Sequence, residues 1–439
     1  MIVIGGGVAG LYVAWKMKAS MLLESTARVG GRVRTMRNGE SVDYEGGPWR
    51  IHESHRRVLR LVHRLGLEVE QTTSSRIQGG ALSVYGNHLV QHGVSKANRM
   101  ELESGYEGFG ASAAEDHAYA RHAGGRYYVV RTGFDSLVEA LEKRVKCPIR
   151  TNTRVTNVRR SNGQYEIEVS VRKGGTHFHK KMYRCKRVVF ALPPHNTIQW
   201  DVCKQWLQAQ INAVKTLPLH HIYGSIGTAL PPTYKKDPVS LLSQIVSGDH
   251  DTRTFQVSYS GGRRAQFWNR LKMENPRQFQ SLLRKELRKQ LPPRLRKKRL
   301  RRVRSHHFEH AVHYWVPAYG FKGNKRSTRQ SVVPHPNKLP GLYWVGEAFS
   351  SVQGWIEGAL ETAELACIAM RKPMKRWRTT LRKGEVMVEG RVVNVGTFSN
   401  VHPGTKQAIQ KYMGKDVTKI FSHIHPSYSW GIVFALQRH

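Results

Sequence analysis

Six residues near the start, Gly5-Gly6-Gly7-Val8-Ala9-Gly10, have the spacing G-x-G-x-x-G, and an acid follows at Glu24. Each glycine has a separate chemical reason. Gly5 permits a tight turn, Gly7 lets backbone approach a pyrophosphate, and Gly10 lets a helix pack on a strand. The helix N-terminus then faces the negative charge, and Glu24 can accept hydrogen bonds from ribose hydroxyls. This chemistry requires a strand on either side. Met1-Ile2-Val3-Ile4 reads as a buried strand, Leu11, Val13, Ala14 and Met17 recur at helical spacing, and Met21-Leu22-Leu23 reads as a strand ending at Glu24. Together these predict a dinucleotide-binding unit rather than a plain glycine-rich turn.

Further elements follow. Asn38-Gly39 is a hairpin signal, and Val58, Leu61, Val62 and Leu65 form a helical stripe ended by Gly66. Gly133-Phe134 precedes Leu137, Val138 and Leu141 at helical spacing. Ile149–Val155, Tyr165–Val171 and Arg187–Leu192 read as strands, and Leu282, Leu283, Leu287 and Leu291 as a helical stripe. The 439 residues are enough for two or three domains.

Charge is the compositional anomaly. The chain carries 71 Lys+Arg against 31 Asp+Glu, a formal net charge of +40. A fold does not need that excess; polyanions attract it. It is concentrated in the 284–304 block, at Arg294, Arg296, Lys297, Lys298, Arg299, Arg301 and Arg302, where Glu286 is the only carboxylate. No aromatic residue interleaves this run, so base stacking is not indicated. No apolar run of about 18 residues suggests a membrane span. Met1 leads directly into a strand, leaving no room for a signal peptide. Cys147, Cys185, Cys203 and Cys367 lie far apart and form no zinc or disulfide pattern, which points to a reducing intracellular compartment.

Glu24, Arg28, Gly30, Gly31 and Arg32 spell E-x-x-x-R-x-G-G-R, and Gly46-Gly47-Pro48-Trp49 resembles G-G-x-[WY]. These motifs resemble the flavin-containing amine oxidase family. Gly346-Glu347 resembles its F-[AV]-G-E, and Gly354-Trp355-Ile356-Glu357-Gly358-Ala359 its G-[YW]-[MIV]-E-G-A. The resemblance covers residues 1–372. It implies non-covalent FAD, held by these glycines, by Glu24, Arg28, Arg32, Glu347 and Ile356, and by the Val155 backbone on the adenine side. Trp355 would wall an aromatic substrate cage, and Trp315 and Tyr319 fall in the family's flavin-facing segment. His221 stands where many members carry a lysine that holds a water opposite flavin N5; it either replaces that lysine or is a core histidine.

The implied architecture is α/β: a Rossmann-like FAD domain (1–75, 126–204 and 335–372) with an inserted α+β substrate domain (76–125 and 205–334). After a linker, 373–384, the segment 385–439 resembles a cytochrome b5-like haem-binding domain. The resemblance rests on His402-Pro403-Gly404-Thr405, on Gly414 to Phe421 and on a second histidine. It implies haem b ligated by His402 and His425, with His423 the neighbouring alternative. Thr405 departs from the family's H-P-G-G, and the chain ends soon after the second histidine.

The expected function is oxidation of an amine or similar C–H donor by hydride transfer to the flavin, with electrons passing to dioxygen or to a b5-type haem. The net charge of +40 disfavours polyamine cations as substrates. The rival reading is a basic packaging or scaffold protein that binds DNA, packed in a virion as in large DNA viruses, with the FAD fold retained.

Overall fold

The computed structural model describes residues 1–72, 126–172, 178–230, 235–236, 240–242, 244–246, 253–315, 325–334, 339–371, 381–382, 384–388, 391–402, 404–417, 420–421 and 424. Tyr319, His423, His425 and the 76–125 part of the expected substrate domain lie outside the described residues.

Three short apolar runs become central strands because both of their faces are covered. β1 (Ile2–Ile4) lies between β2 (Met21–Leu23) and the strand Val188–Phe190, all parallel. Leu342–Trp344 pairs beyond Val188–Phe190, and Ile149–Arg150 beyond β2, giving a five-stranded sheet. Continuous burial in β1, Val188–Phe190 and Leu342–Trp344 is the mark of a parallel sheet between helical layers. One layer consists of α1 (Val8–Lys16) with the helices Phe134–Glu142 and Ile356–Arg371 packed beside it. Phe134, Leu137, Val138 and Leu141 recur at helical spacing and are all buried, each worth roughly 1.5–3 kcal/mol.

The hairpin at Asn38-Gly39 joins β3 (Thr35–Asn38) to β4 (Ser41–Glu45), and Gly39 takes φ +63°. α2 (Arg56–Arg64) ends at Gly66, φ +74°, with the Leu67 N–H donating to the Val62 carbonyl, as in a glycine-terminated helix. The expected strand Ile149–Val155 is instead two strands. Asn152 adopts φ +50°, which a short polar side chain tolerates, and the chain passes from the parallel sheet into an antiparallel one. That second sheet contains Thr153–Ser161, Gln164–Arg172 and Phe178–Cys185.

A third sheet has Val214–Ser225 at its centre, flanked by Thr254–Gly261 and Arg301–Trp315. Behind it lie the helices Gly262–Glu274 and Pro276–Gln290, which bury Trp268, Phe279, Leu283 and Leu287. At the C-terminal end, Glu385–Val388 and Arg391–Asn394 form an antiparallel strand pair. Val386, Val388, Val393 and Val395 belong to the same continuous apolar cluster as α1. No helix among the described residues is long and apolar enough to cross a membrane.

Candidate active site

The glycine turn after β1 has the geometry its spacing predicts. Gly5 has φ +107°, and a Cβ there would lie 2.3 Å from the Ala191 carbonyl oxygen. A Cβ on Gly10 would lie 2.0 Å from the Gly5 oxygen, which explains why helix and strand can meet only through glycine here. Gly7 differs: a Cβ there would meet nothing within 4 Å. It stands before α1, whose first turn has no acid and no side-chain cap. That leaves the helix N–H groups free for an anion.

Glu24 is buried at the end of β2. Its Oε2 accepts from the Gly6 N–H at 2.8 Å, and its Oε1 from the Thr26 N–H and hydroxyl, each at 2.8 Å. A carboxylate has about four acceptor positions, so Oε2 retains one for a ribose hydroxyl. Gly31, φ +57°, lies across from Gly7; its Cβ would approach Gly7 Cα at 3.4 Å. Gly346, φ +130°, again faces open space. Gly7 and Gly31 face each other, the Arg32–Glu347 ion pair ties the Gly346 turn to the same loop, and open space at the Gly7 and Gly346 Cβ positions fits the pyrophosphate-containing spine of FAD.

The two arginines of E-x-x-x-R-x-G-G-R have different partners. Arg28 donates to the carbonyls of Val29, Gly31 and Val33 and so braces the loop. Arg32 pairs with Glu347 at 2.8 Å and also donates to the Ala311 carbonyl. Glu347 Oε1 is also 2.6 Å from His313 Nδ1, and Oε2 accepts from the Gly354 N–H at 2.9 Å. Burial opposes its ionisation, but His313 and Arg32 outweigh it and hold the carboxyl down to about 2. One side chain thus ties the glycine turn at Gly346 to Gly354, to the third sheet and to the Arg32 loop.

Glu357 acts elsewhere. It accepts from the N–H groups of Arg57 and Val58 at 3.0 Å each and so caps α2, which lacks a capping side chain of its own. Glu45 does the same for Phe134–Glu142, accepting from the Phe134 N–H at 2.8 Å; burial pushes its carboxyl up to about 7.

Residues on one face of the third sheet meet the glycine turns. His306 packs on Gly46, where a Cβ would lie 2.9 Å from its ring. Val312 packs 3.2 Å from the Cβ position of Gly354. His221 sits in cross-strand register with both His306 and Tyr259. Its ring lies 4.8 Å from that of Tyr259 and 6.2 Å from that of Phe308, and neither ring nitrogen has a hydrogen-bond partner among the described residues. Burial pushes its pKa down to about 3, so it is a neutral imidazole.

The remaining expected site residues divide. Trp355 is half-buried, its ring 4.7 Å from that of His55. Trp49 is half-buried after Pro48 and carries the Arg50 guanidinium 3.4 Å above its ring. Gly47 is pressed against the Arg32 carbonyl, Gly30 takes φ +105°, and Ile356 opens its helix. Val155 pairs with Val169 at the rim of the second sheet. Trp315 is a correction. It is 1% exposed, its Nε1 donates to the Ser350 carbonyl and its ring packs on Phe349, so it is a core residue with no face toward a substrate.

Sequence reasoning missed His195, His310 and His313, whose rings stack at 5.6 and 5.9 Å beside Glu347. Only the density of histidine in the Arg301–Trp315 strand hinted at them. Among the described residues no group of three or more His, Cys, Asp or Glu is arranged to hold a metal ion.

In the C-terminal segment His402 is half-buried, with Phe398 at a ring distance of 5.8 Å, and Val401 and Ile424 are exposed. An imidazole amid apolar side chains is compatible with haem. Its Nδ1 accepts from the Gly404 N–H at 3.1 Å, so ligation through Nε2 requires that hydrogen bond to be given up.

Comparison with known proteins agrees with this geometry. Residues 8–114 and 98–370 match the family described as flavin containing amine oxidoreductase. Residues 382–433 match the cytochrome b5-like heme/steroid binding domain. L-amino-acid oxidases of Demansia vestigiata and Pseudechis australis are 41% and 38% identical over 76 residues, 16% of this chain and 15% of each relative. The chain therefore matches only a small part of the length of these curated relatives. A putrescine oxidase structure with bound putrescine superposes with a TM-score of 0.55 at 12% identity, covering 84% of this chain and 98% of that one. The likeness to that structure is one of fold. The family match spans well over half the chain and implies FAD, so this chain belongs to the flavin containing amine oxidoreductase family, with a cytochrome b5-like domain at its C-terminal end.

Proposed function

We propose that this protein oxidises an amine or a similar C–H donor, an amino acid included, and passes the electrons first to dioxygen. The observation that carries the reading is the open space at the Gly7 and Gly346 Cβ positions, on turns that the Gly7–Gly31 contact and the Arg32–Glu347 ion pair link, with the buried carboxylates Glu24 and Glu347 adjoining them. When bound there, FAD supplies a hydride acceptor for C–H oxidation. The N-terminus of α1 would hold the pyrophosphate, Glu24 would orient the ribose, and Glu347 would fix the Gly354 turn against the third sheet. His221, buried and neutral at pH 7, can hold a water through a ring nitrogen, but burial makes it too weak a base to take the proton of a substrate ammonium. The L-amino-acid oxidase relatives favour an amino-acid substrate, although they match over a short stretch only.

Dioxygen is named as the acceptor because the His402 hydrogen bond to Gly404 opposes Nε2 ligation of haem. The test is anaerobic mixing of the purified flavoprotein with a panel of amines and amino acids, followed by admission of air. Bleaching of the flavin band by one panel member, and peroxide on reoxidation, support the reading. A bound flavin that no panel member bleaches overturns it. A Soret band that shifts during turnover transfers the acceptor role to haem.

A further inference from the structure

We propose that the surface from the Pro276–Gln290 helix, through the turn at Pro293–Leu295, to the start of the Arg301–Trp315 strand binds the phosphate backbone of double-stranded nucleic acid. Residues 262–304 contain seventeen Lys and Arg and only two acids, Glu274 and Glu286. Glu286 is buried and paired with Lys289 at 2.6 Å, so it offers the rest no neutralisation. Leu291, Leu295 and Leu300 are buried in one cluster with Trp268 and Phe279. Those anchors leave Arg294, Arg296, Lys297, Lys298, Arg299, Arg301 and Arg302 exposed. Among the described residues, none of the seven pairs with a carboxylate.

Carboxylate pairing does occur elsewhere in the fold: Arg159 and Arg184 share Glu166, and Arg57 bridges Glu357 and Glu364. Seven unpaired cations in nine residues repel one another and weaken the fold, a cost that an external polyanion removes. Duplex nucleic acid presents about one charge per 1.7 Å of axis. Leu287, Leu291, Leu295 and Leu300 of the 284–304 block are buried, and the exposed Phe267 and Met273 lie on the preceding helix, so the block itself offers no exposed leucine for insertion into a lipid headgroup layer. It offers no aromatic platform for unpaired bases either, which favours a duplex read through its phosphates alone.

The test uses the full chain and a labelled random-sequence duplex, followed by anisotropy across a salt series. Neutralising six or more phosphates predicts a drop in affinity of at least ~1,000-fold between about 50 and 200 mM salt. The variant R294Q/R296Q/K297Q/K298Q/R299Q should lower the logarithmic salt slope by about 0.9 for each phosphate that is no longer neutralised. It should leave the flavin spectrum unchanged and should not lower the thermal midpoint, since removing mutually repelling charges relieves strain on the fold. A control variant, R154Q/R160Q/R172Q/K180Q/K181Q, removes the same charge from the exposed second sheet. Retained duplex binding in that control supports the proposal. Equal weakening in both variants, salt-insensitive binding, or capture by phosphatidylserine vesicles in preference to duplex overturns it.

Discussion

The turn at Gly5–Gly10 and the turn at His402–Thr405 both ask for glycine, and they are enforced differently. At the first turn the obstacle is rigid backbone, the Ala191 carbonyl for Gly5 and the turn's own Gly5 carbonyl for Gly10. The Ala191 carbonyl stands 2.3 Å from where a Gly5 Cβ would be, and the Gly5 carbonyl 2.0 Å from a Gly10 Cβ. Neither can yield without opening the parallel sheet. At the second turn Thr405 already occupies φ +75° and ψ 156°, a region populated almost only by glycine. Thr405 is exposed, so its side chain meets solvent and the penalty is confined to the backbone itself. A glycine demanded by close backbone packing is indispensable, whereas one demanded by its own conformation alone can be replaced at a bounded cost.

The largest predicted effect lies in the first turn. Gly10→Ala forces a methyl group onto a backbone oxygen and should abolish flavin retention and cost roughly 3 kcal/mol or more, the upper range for overpacking. Gly7→Ala meets nothing in the protein, so its thermal midpoint should stay within experimental error. Its flavin occupancy should nevertheless fall, because the methyl group enters the space assigned to the pyrophosphate. Absorbance after gel filtration measures occupancy, and calorimetry measures stability. Unchanged flavin content in Gly7→Ala would show that the opening is not the cofactor's.

Next in size is Glu347→Gln, which asks whether charge can constrain the same module as tightly as backbone does. The substitution leaves Arg32 and His313 facing an amide. Breaking a buried ion pair costs about 3 kcal/mol here, the low end of the range because Arg32 reaches water. The folded pKa is depressed to about 2, so the carboxylate stabilises the fold above its ordinary range and that contribution is lost as pH falls toward 2. Urea unfolding should therefore show the wild-type advantage at pH 7 and its decline below about pH 4. A gap that does not change with pH would assign the effect to packing.

These two tests separate what the sequence makes legible from what it hides. The Gly5–Gly10 turn, the hairpin at Gly39 and the helix stop at Gly66 are local, and a few neighbouring residue types determine them. The bond between Arg32 and Glu347 joins residues 315 positions apart, and no spacing rule reaches that far. The same distance hides the capping of α2 by Glu357, across 299 positions to Val58. Trp315 misleads for a related reason. Its place in a flavin-facing motif identifies the strand, but only the packing of Phe349 and Ser350 against it shows that the ring points into the core.

A smaller effect comes from the third sheet, where burial rather than backbone sets the constraint. His221 is pushed down to about 3 and His306 to about 4, both chiefly by burial. Both are neutral in the folded state and protonate readily once unfolded. Stability is full above about pH 6.5 and lost as pH falls toward the folded pKa values, at about 1.4 kcal/mol per pH unit for each histidine. His221→Phe should flatten the stability profile between about pH 6 and 4 by roughly one such increment. If turnover also falls in a variant that is no less stable at pH 7, His221 contributes to the chemistry. If turnover is unaffected, it is a core residue.

The smallest effect is Thr405→Gly, and it tests the comparison from the tolerant side. Glycine relieves the strained φ and ψ at no cost in packing, since the threonine side chain is exposed. The expected gain is about 1 kcal/mol in the stability of the C-terminal segment, read as slower hydrogen exchange of the Glu385–Val388 and Arg391–Asn394 strands. The amides of β1, in the central parallel sheet, should not change. Haem titration sharpens the outcome. The Gly404 N–H that occupies His402 Nδ1 belongs to the same turn, so a relaxed turn can release Nδ1 and free Nε2 for iron. A Soret band in Thr405→Gly that the parent chain lacks would mean that a single β-branched residue stands between this segment and haem. Equal haem binding in both proteins would mean that the strain at Thr405 is purely local, as the comparison with Gly10 requires.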